Sequence, residues 1–153
     1  MNQFIGELDL RYLDGDRWLI REPFTFQYGL EYVHVGAGEI VNFASIPRPL
    51  KLIWPSPGGL WDLGSVVHDS LFARNLVWQV NGASRRVGFT EVNHIFAEAM
   101  KVKKVNGVTL RLMHAGVQVG GKGIWDRYRA ADAARAATAR PWWEDDAAHL
   151  KVA

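Results

Sequence analysis

The chain has 153 residues, about the length of one domain, and 48% of them are hydrophobic, which is enough to build a buried core. Its 18 basic and 16 acidic side chains leave a net charge of +2, which disfavours nucleic-acid binding because phosphate affinity requires clustered cations. The absence of cysteine excludes disulfides and thiolate metal sites. We expect no signal peptide and no membrane span, since no basic head or long apolar run is present.

The first third of the chain has an alternating apolar and polar pattern that predicts an antiparallel β-meander of about four strands. Turn-forming residues separate its segments, at Asp14-Gly15-Asp16 and at Gly36-Ala37-Gly38. The predicted strand segments are Phe4–Leu13, Trp18–Ile20, Phe24–Tyr28, Leu30–Val35 and Glu39–Phe43.

The rest of the chain predicts helices, after a stretch interrupted by Pro47, Pro49, Pro55 and Pro57. The predicted helices run from a cap at Asp62 or Ser65 to about Asn75, from Thr90 to about Lys103, over Val108–Val119, and from about Ile124 to Arg140. The glycines of 116–123 predict a flexible connector between the last two. We therefore expect an α+β fold, with one domain over residues 1–140 and an extended C-terminal arm over 141–153.

His68 is the first candidate for chemistry. On the first predicted helix it lies at the margin of an apolar stripe formed by Leu63, Val67 and Leu71, and Asn93 lies in a similar place on the second. If the two helices pack together, His68, Asp69 and Asn93 converge. A partly buried imidazole is the usual general base near neutral pH. The alternative is that His68 only satisfies a hydrogen bond in the core.

Three motifs follow one another in the chain: Asn42-Phe43-Ala44-Ser45-Ile46-Pro47-Arg48, His68-Asp69-Ser70-Leu71-Phe72 and Asn93-His94-Ile95-Phe96-Ala97-Glu98-Ala99-Met100. Over about residues 24–125 this pattern resembles an uncharacterised family of small phage and prophage proteins, a domain of unknown function. Its members tend to have Thr-Asp-Phe-Ala-Ser-Ile-Pro, then His-Asp-x-Leu-Tyr, then Ala-Asp-x-x-Phe-x-x-Ala-Met. The resemblance implies a phage or prophage origin.

This chain departs from that pattern at the presumed cleft, where Asn42 and Asn93 stand in place of aspartates and Phe72 in place of tyrosine. Two lost carboxylates weaken any site for a hard divalent cation, which requires anionic oxygen ligands. We therefore expect no cofactor. Should a divalent cation bind, His68 and Asp69 are its ligands.

Several sharper mechanisms remain open at the sequence level. The His-Asp pair before an aromatic residue resembles the helix of secreted calcium-dependent phospholipases, although those enzymes depend on disulfides. A His-Asp phosphohydrolase requires further ligands that His34 and Asp132 supply poorly. Glu91, His94 and Glu98 share one helix face and form a third candidate, for metal binding. Ser45 is either a nucleophile beside His68 or a turn hydroxyl before Pro47.

The C-terminal arm is the candidate for docking. Trp142 and Trp143 precede three acidic residues, and Arg135 and Arg140 lie among alanines just before them. Paired tryptophans are typical anchors in a partner's pocket, and an alanine-rich helix needs a partner surface to be stable. The arm is predicted to dock on this chain's own core or on another chain.

Two hypotheses follow. The first is a tail-associated virion or assembly component built on a hydrolase-like scaffold. It contacts other phage structural proteins or a second copy of itself, in the virion or in the host cytoplasm during assembly. The second is a hydrolase acting on the bacterial cell envelope, phospholipase-like or peptidoglycan-directed. In it His68 is the general base, Asp69 orients it or binds metal, and Asn42, Ser45 and Asn93 are cleft contacts.

Overall fold

A computed structural model describes residues 1–43 and 58–138. Its strands are β1 Gln3–Ile5, β2 Leu10–Asp14, β3 Arg17–Ile20, β4 Phe24–Tyr28, β5 Glu31–Val35, β6 Ile40–Val41, β7 Leu76–Gln79 and β8 Ser84–Arg86. Its helices are α1 Asp62–Arg74, α2 Phe89–Val102 and α3 Gly107–Thr138. The predicted α+β fold class, with antiparallel strands before the helices, is confirmed.

The strands form two antiparallel sheets rather than one meander. The larger sheet has the order β1-β4-β5-β7-β8, and the smaller has the order β2-β3-β6. Phe24 and Phe26 of β4 and Val33 and Val35 of β5 are buried, because alternate residues of a strand point to the same face. That face of the larger sheet packs against α1 and α2 in the main core.

The β7–β8 hairpin, between α1 and α2, was not predicted. Its turn contains Asn81 and Gly82, and Gly82 has a φ of +81°, a conformation that favours glycine. Asn-Gly is a strong hairpin signal, so the sequence did carry the information. Ser84–Arg86 is short and polar, with no apolar alternation to mark it as a strand.

Helices α1 and α2 pack closely on each other. A Cβ added at Gly64 of α1 would lie 3.0 Å from Met100 Cγ of α2, so glycine permits this approach. The predicted apolar stripe of α2 is buried, including Val92, Ile95 and Phe96. Two predicted caps differ from the structure, since α1 starts at Asp62 after Trp61 and α2 starts at Phe89 after Gly88.

The prediction of two C-terminal helices joined by a flexible connector is wrong, because α3 is a single helix of 32 residues. Asn106 starts it, accepting a hydrogen bond from the Thr109 backbone N–H at 2.9 Å. Gly121 is buried in its middle, and an added Cβ there would lie 3.1 Å from Phe72 Cζ. Gly121 therefore allows close packing against Phe72, and this packing stabilises the helix despite the low helix propensity of glycine.

Among the described residues no helix has the length and hydropathy that crossing a bilayer requires. The predicted boundary at residue 140 and the arm over 141–153 lie outside the described residues, and both stay predictions.

Candidate functional site

The packing of α1 on α2 brings His68 and Asn93 into direct contact. His68 Nε2 lies 2.9 Å from Asn93 Oδ1. The two side chains are 3% and 0% exposed, respectively. Because an amide oxygen only accepts hydrogen bonds, Nε2 donates and is the protonated nitrogen of the neutral imidazole.

The surroundings of His68 are aromatic. Its ring centroid lies 4.3 Å from that of Phe72 and 4.9 Å from that of Phe96. Burial lowers the pKa of His68 to about 4, the hydrogen bond to Asn93 opposes that change, and the nearby His114 adds to it. The imidazole is therefore neutral at pH 7 and has little basicity to offer a substrate.

Asn93 carries a polar atom that this environment does not satisfy. Within the described part of the chain, its Nδ2 is buried and makes no hydrogen bond. A buried amide donor without a partner typically costs about 1–3 kcal/mol. A carboxylate at this position would only accept hydrogen bonds, and the resemblance described above has aspartate there.

Of the other predicted cleft residues, the structure describes Asp69 and Asn42. Asp69 is half-buried on α1, and successive residues of a helix point about 100° apart, so it does not face the same way as His68. Asn42 is exposed directly after β6. Ser45 lies outside the described residues.

The described residues do not form a ligand cluster for the predicted metal sites. Over residues 1–43 and 58–138, no three acidic or histidine side chains are placed to hold one ion. Glu98 pairs with Lys101 at 2.6 Å and accepts a hydrogen bond from Asn2 at 3.1 Å. Glu91 pairs with Arg85 at 2.5 Å.

Sequence reasoning missed the ion bridge centred on Arg85 of β8. Its guanidinium contacts Glu31 of β5 at 2.6 Å and Glu91 of α2 at 2.5 Å. These hydrogen bonds raise the pKa of Arg85 above its ordinary value, and the one from Arg85 lowers the pKa of Glu91. The bridge ties the sheet to α2. Glu31 is 54 residues away in sequence, so no local spacing reveals it.

Arg129 of α3 packs against the end of α1. Arg129 Nη2 donates to the carbonyls of Phe72 and Ala73 at 2.9 and 3.0 Å, and its guanidinium lies 4.6 Å from the Trp125 ring. It thereby satisfies carbonyls at the C-terminal end of α1. Arg135 is exposed on α3 and pairs with Asp132 at 2.7 Å. Arg140, Trp142 and Trp143 lie outside the described residues.

Comparison with known proteins gives one finding. A family model described as "Protein of unknown function (DUF1353)" matches residues 18–117, which include most of β3, all of β4 to β8, α1 and α2, and the first third of α3. No curated protein and no solved structure matches the chain. The matched segment holds both His68 and Asn93, and it covers well over half of the sequence. The chain therefore belongs to the DUF1353 family.

Proposed function

We propose that this chain is a non-catalytic assembly component of a bacteriophage particle, and that it associates with a second copy of itself through α3. The state of His68 supports the non-catalytic part. A general base must reach the proton that it removes and should have a pKa near the working pH. His68 is 3% exposed and its pKa is about 4, so it meets neither requirement.

The observation that carries the proposal is an apolar stripe on the outer face of α3. At about 100° per residue, Val108, Leu112, Ala115 and Val119 fall within roughly 60° of one another around the helix axis. Val108, Leu112 and Val119 are 68%, 48% and 87% exposed. The opposite face of the helix is buried, through Thr109, Met113, Val117, Gly121 and Trp125.

A second copy is the partner that this stripe fits. It spans 11 residue steps, about 17 Å of helix. In an antiparallel pair, Val108 of one copy lies opposite Val119 of the other, and Leu112 lies opposite Ala115. Each contact then occurs twice, as a two-fold interface requires. Contiguous exposed apolar surface of this kind is typical of association sites.

The phage assignment rests on the motif resemblance alone. Under the proposal the protein works in the tail of the virion or in the host cytoplasm during assembly. The predicted arm, with Trp142 and Trp143, is the second contact, made with other structural proteins of the particle.

The proposal is tested by measuring molar mass over a concentration series, using sedimentation velocity. Wild-type protein is expected to form dimers, and Val119→Glu to be monomeric because it places a charge in the apolar contact. The matched control is Gln118→Glu, which introduces the same side chain and the same charge at the neighbouring exposed position. It is expected to dimerise like wild type.

Two results contradict the proposal. One is a wild-type chain that stays monomeric at every concentration. The other is a purified protein that contains a divalent cation by elemental analysis and loses it in His68→Gln. The second result would favour the His68–Asp69 hydrolase instead.

A further inference from the structure

The outer face of the larger sheet carries a row of side chains that crosses all five strands. The register pairs Gln3 with Gln27, Gln27 with Tyr32, Tyr32 with Trp78, and Trp78 with Ser84. Residues directly opposite one another in a sheet share a face, so these five side chains stand side by side. A neighbouring row on the same face contains Ile5, Thr25 and His34.

Three aromatic rings form a continuous patch at the centre of this face. The rings of Tyr32 and His34 are parallel within 5°, with centroids 6.1 Å apart, and the centroids of His34 and Trp78 lie 6.2 Å apart. A contact of 2.9 Å between Thr25 Oγ1 and His34 Nδ1 holds the middle ring in place. Trp78 is 39% exposed although it is large and apolar.

The rim of the patch consists of neutral polar groups. Gln3 Nε2 donates to Gln27 Oε1 at 2.8 Å, and Gln27 Nε2 donates to the carbonyl of Gly29 at 3.2 Å. Each amide has further donor or acceptor capacity beyond these bonds, as has the hydroxyl of Ser84. Amides and hydroxyls therefore flank the rings on both sides.

Charge and shape select the class of ligand. Arg86 lies two residues after Ser84 on β8 and shares this face, and its Nη1 donates to Asn75 Oδ1 at 2.6 Å. Arg74 donates to the backbone carbonyl of His34 and pairs with Glu39 at 2.8 Å, so both cations are engaged within the chain. Single-stranded nucleic acids need a track of cations beside their stacking rings, and the described residues of this face do not form such a track. Small molecules usually occupy concave pockets, whereas this face is an open sheet.

We propose that the Tyr32–His34–Trp78 patch binds a neutral polysaccharide. The apolar C–H faces of sugar rings pack on the aromatic rings, and the sugar hydroxyls exchange hydrogen bonds with Gln3, Gln27 and Ser84. A polymer fits because successive sugar rings extend along the row of side chains. This inference is independent of the α3 contact, which lies on a different element.

The test titrates the intact chain with chitohexaose, cellohexaose and maltohexaose, and with oligothymidine as the nucleic-acid arm. Affinity is measured by calorimetry and the contact is mapped by NMR. We expect at least one saccharide to bind and to shift the Trp78 indole N–H resonance. Trp78→Ala should lower the affinity about tenfold or more, whereas Trp78→Phe, which keeps a ring, should retain most of it.

The matched control is Tyr12→Ala, which removes an exposed aromatic ring from the smaller sheet and should leave the affinity unchanged. Val119→Glu should also bind normally, which separates this inference from the proposed dimer. Thermal unfolding verifies that each variant is folded, and the wild-type NMR map stands even if Trp78→Ala is not. The inference is overturned if no saccharide binds, if only oligothymidine binds, or if the shifted resonances lie away from Tyr32 and Trp78.

Discussion

At the scale of single residues, His68 is a titratable group kept neutral by its surroundings. Burial among aromatic rings sets its pKa at about 4, below the ordinary value of 6.5. Between these two values the unfolded chain binds more protons at this position than the folded chain does. The stability that the neutral, buried His68 gives the folded state is therefore complete above about pH 6.5. It is lost progressively as the pH falls towards 4.

This leads to the first prediction, for His68→Gln. The wild-type free energy of unfolding should fall by about 3 kcal/mol between pH 7 and pH 4 because of His68, since the two pKa values differ by about 2.5. Glutamine can still donate to Asn93 Oδ1 but does not titrate, so the variant should lack this part of the pH dependence. Urea unfolding at pH 7, 5.5 and 4 checks it. Identical pH profiles for the two proteins would show that His68 does not titrate as described.

The second prediction concerns Asn93→Asp. A carboxylate 2.9 Å from His68 Nε2, in place of the amide oxygen, stabilises the imidazolium, so the pKa of His68 should rise from about 4. The change also removes the buried Nδ2, which makes no hydrogen bond within the described residues. NMR titration of the imidazole measures the pKa directly. Asn93→Gln, which keeps an amide, is the control, and an unchanged pKa in Asn93→Asp would refute the electrostatic argument.

At the scale of secondary-structure elements, what a sequence reveals depends on how local its signal is. The β4 strand was predicted with its correct bounds, because Phe24 and Phe26 alternate with polar residues. The continuity of α3 was not predicted, because Gly120, Gly121 and Gly123 locally indicate a connector. What overrides that preference is the packing of Gly121 against Phe72 and Phe89, which no local pattern encodes.

The third prediction compares two glycines of α3. Gly121→Leu should lower the free energy of unfolding by about 1–3 kcal/mol, since even a Cβ would lie 3.1 Å from Phe72 Cζ. Gly123→Leu adds the same side chain where a Cβ meets nothing within 4 Å. It should raise stability by up to about 1 kcal/mol through helix propensity. Chemical denaturation of both variants measures the difference, and equal effects would mean that Gly121 is not a packing position.

At the scale of the whole molecule, the candidate site was predictable only in part. The helical spacing placed His68 and Asn93 at the margins of two apolar stripes, and the packed helices do join them. Their degree of burial, which decides what the pair can do chemically, depends on Phe72 and Phe96 and thus on the tertiary packing. The exposed stripe of α3 could not be predicted from the sequence, because it depends on which face of the helix the tertiary packing buries.

The proposed self-association through the α3 stripe is tested most directly by disulfide cross-linking. The chain has no cysteine, so Ala115→Cys introduces a single thiol at the middle of the stripe without interference. Arg127→Cys, at an exposed position on another side of α3, is the control. Because a disulfide requires Cα atoms within about 7 Å, mild oxidation should cross-link Ala115→Cys rapidly into a covalent dimer and Arg127→Cys slowly. Equal cross-linking of the two variants would contradict the account.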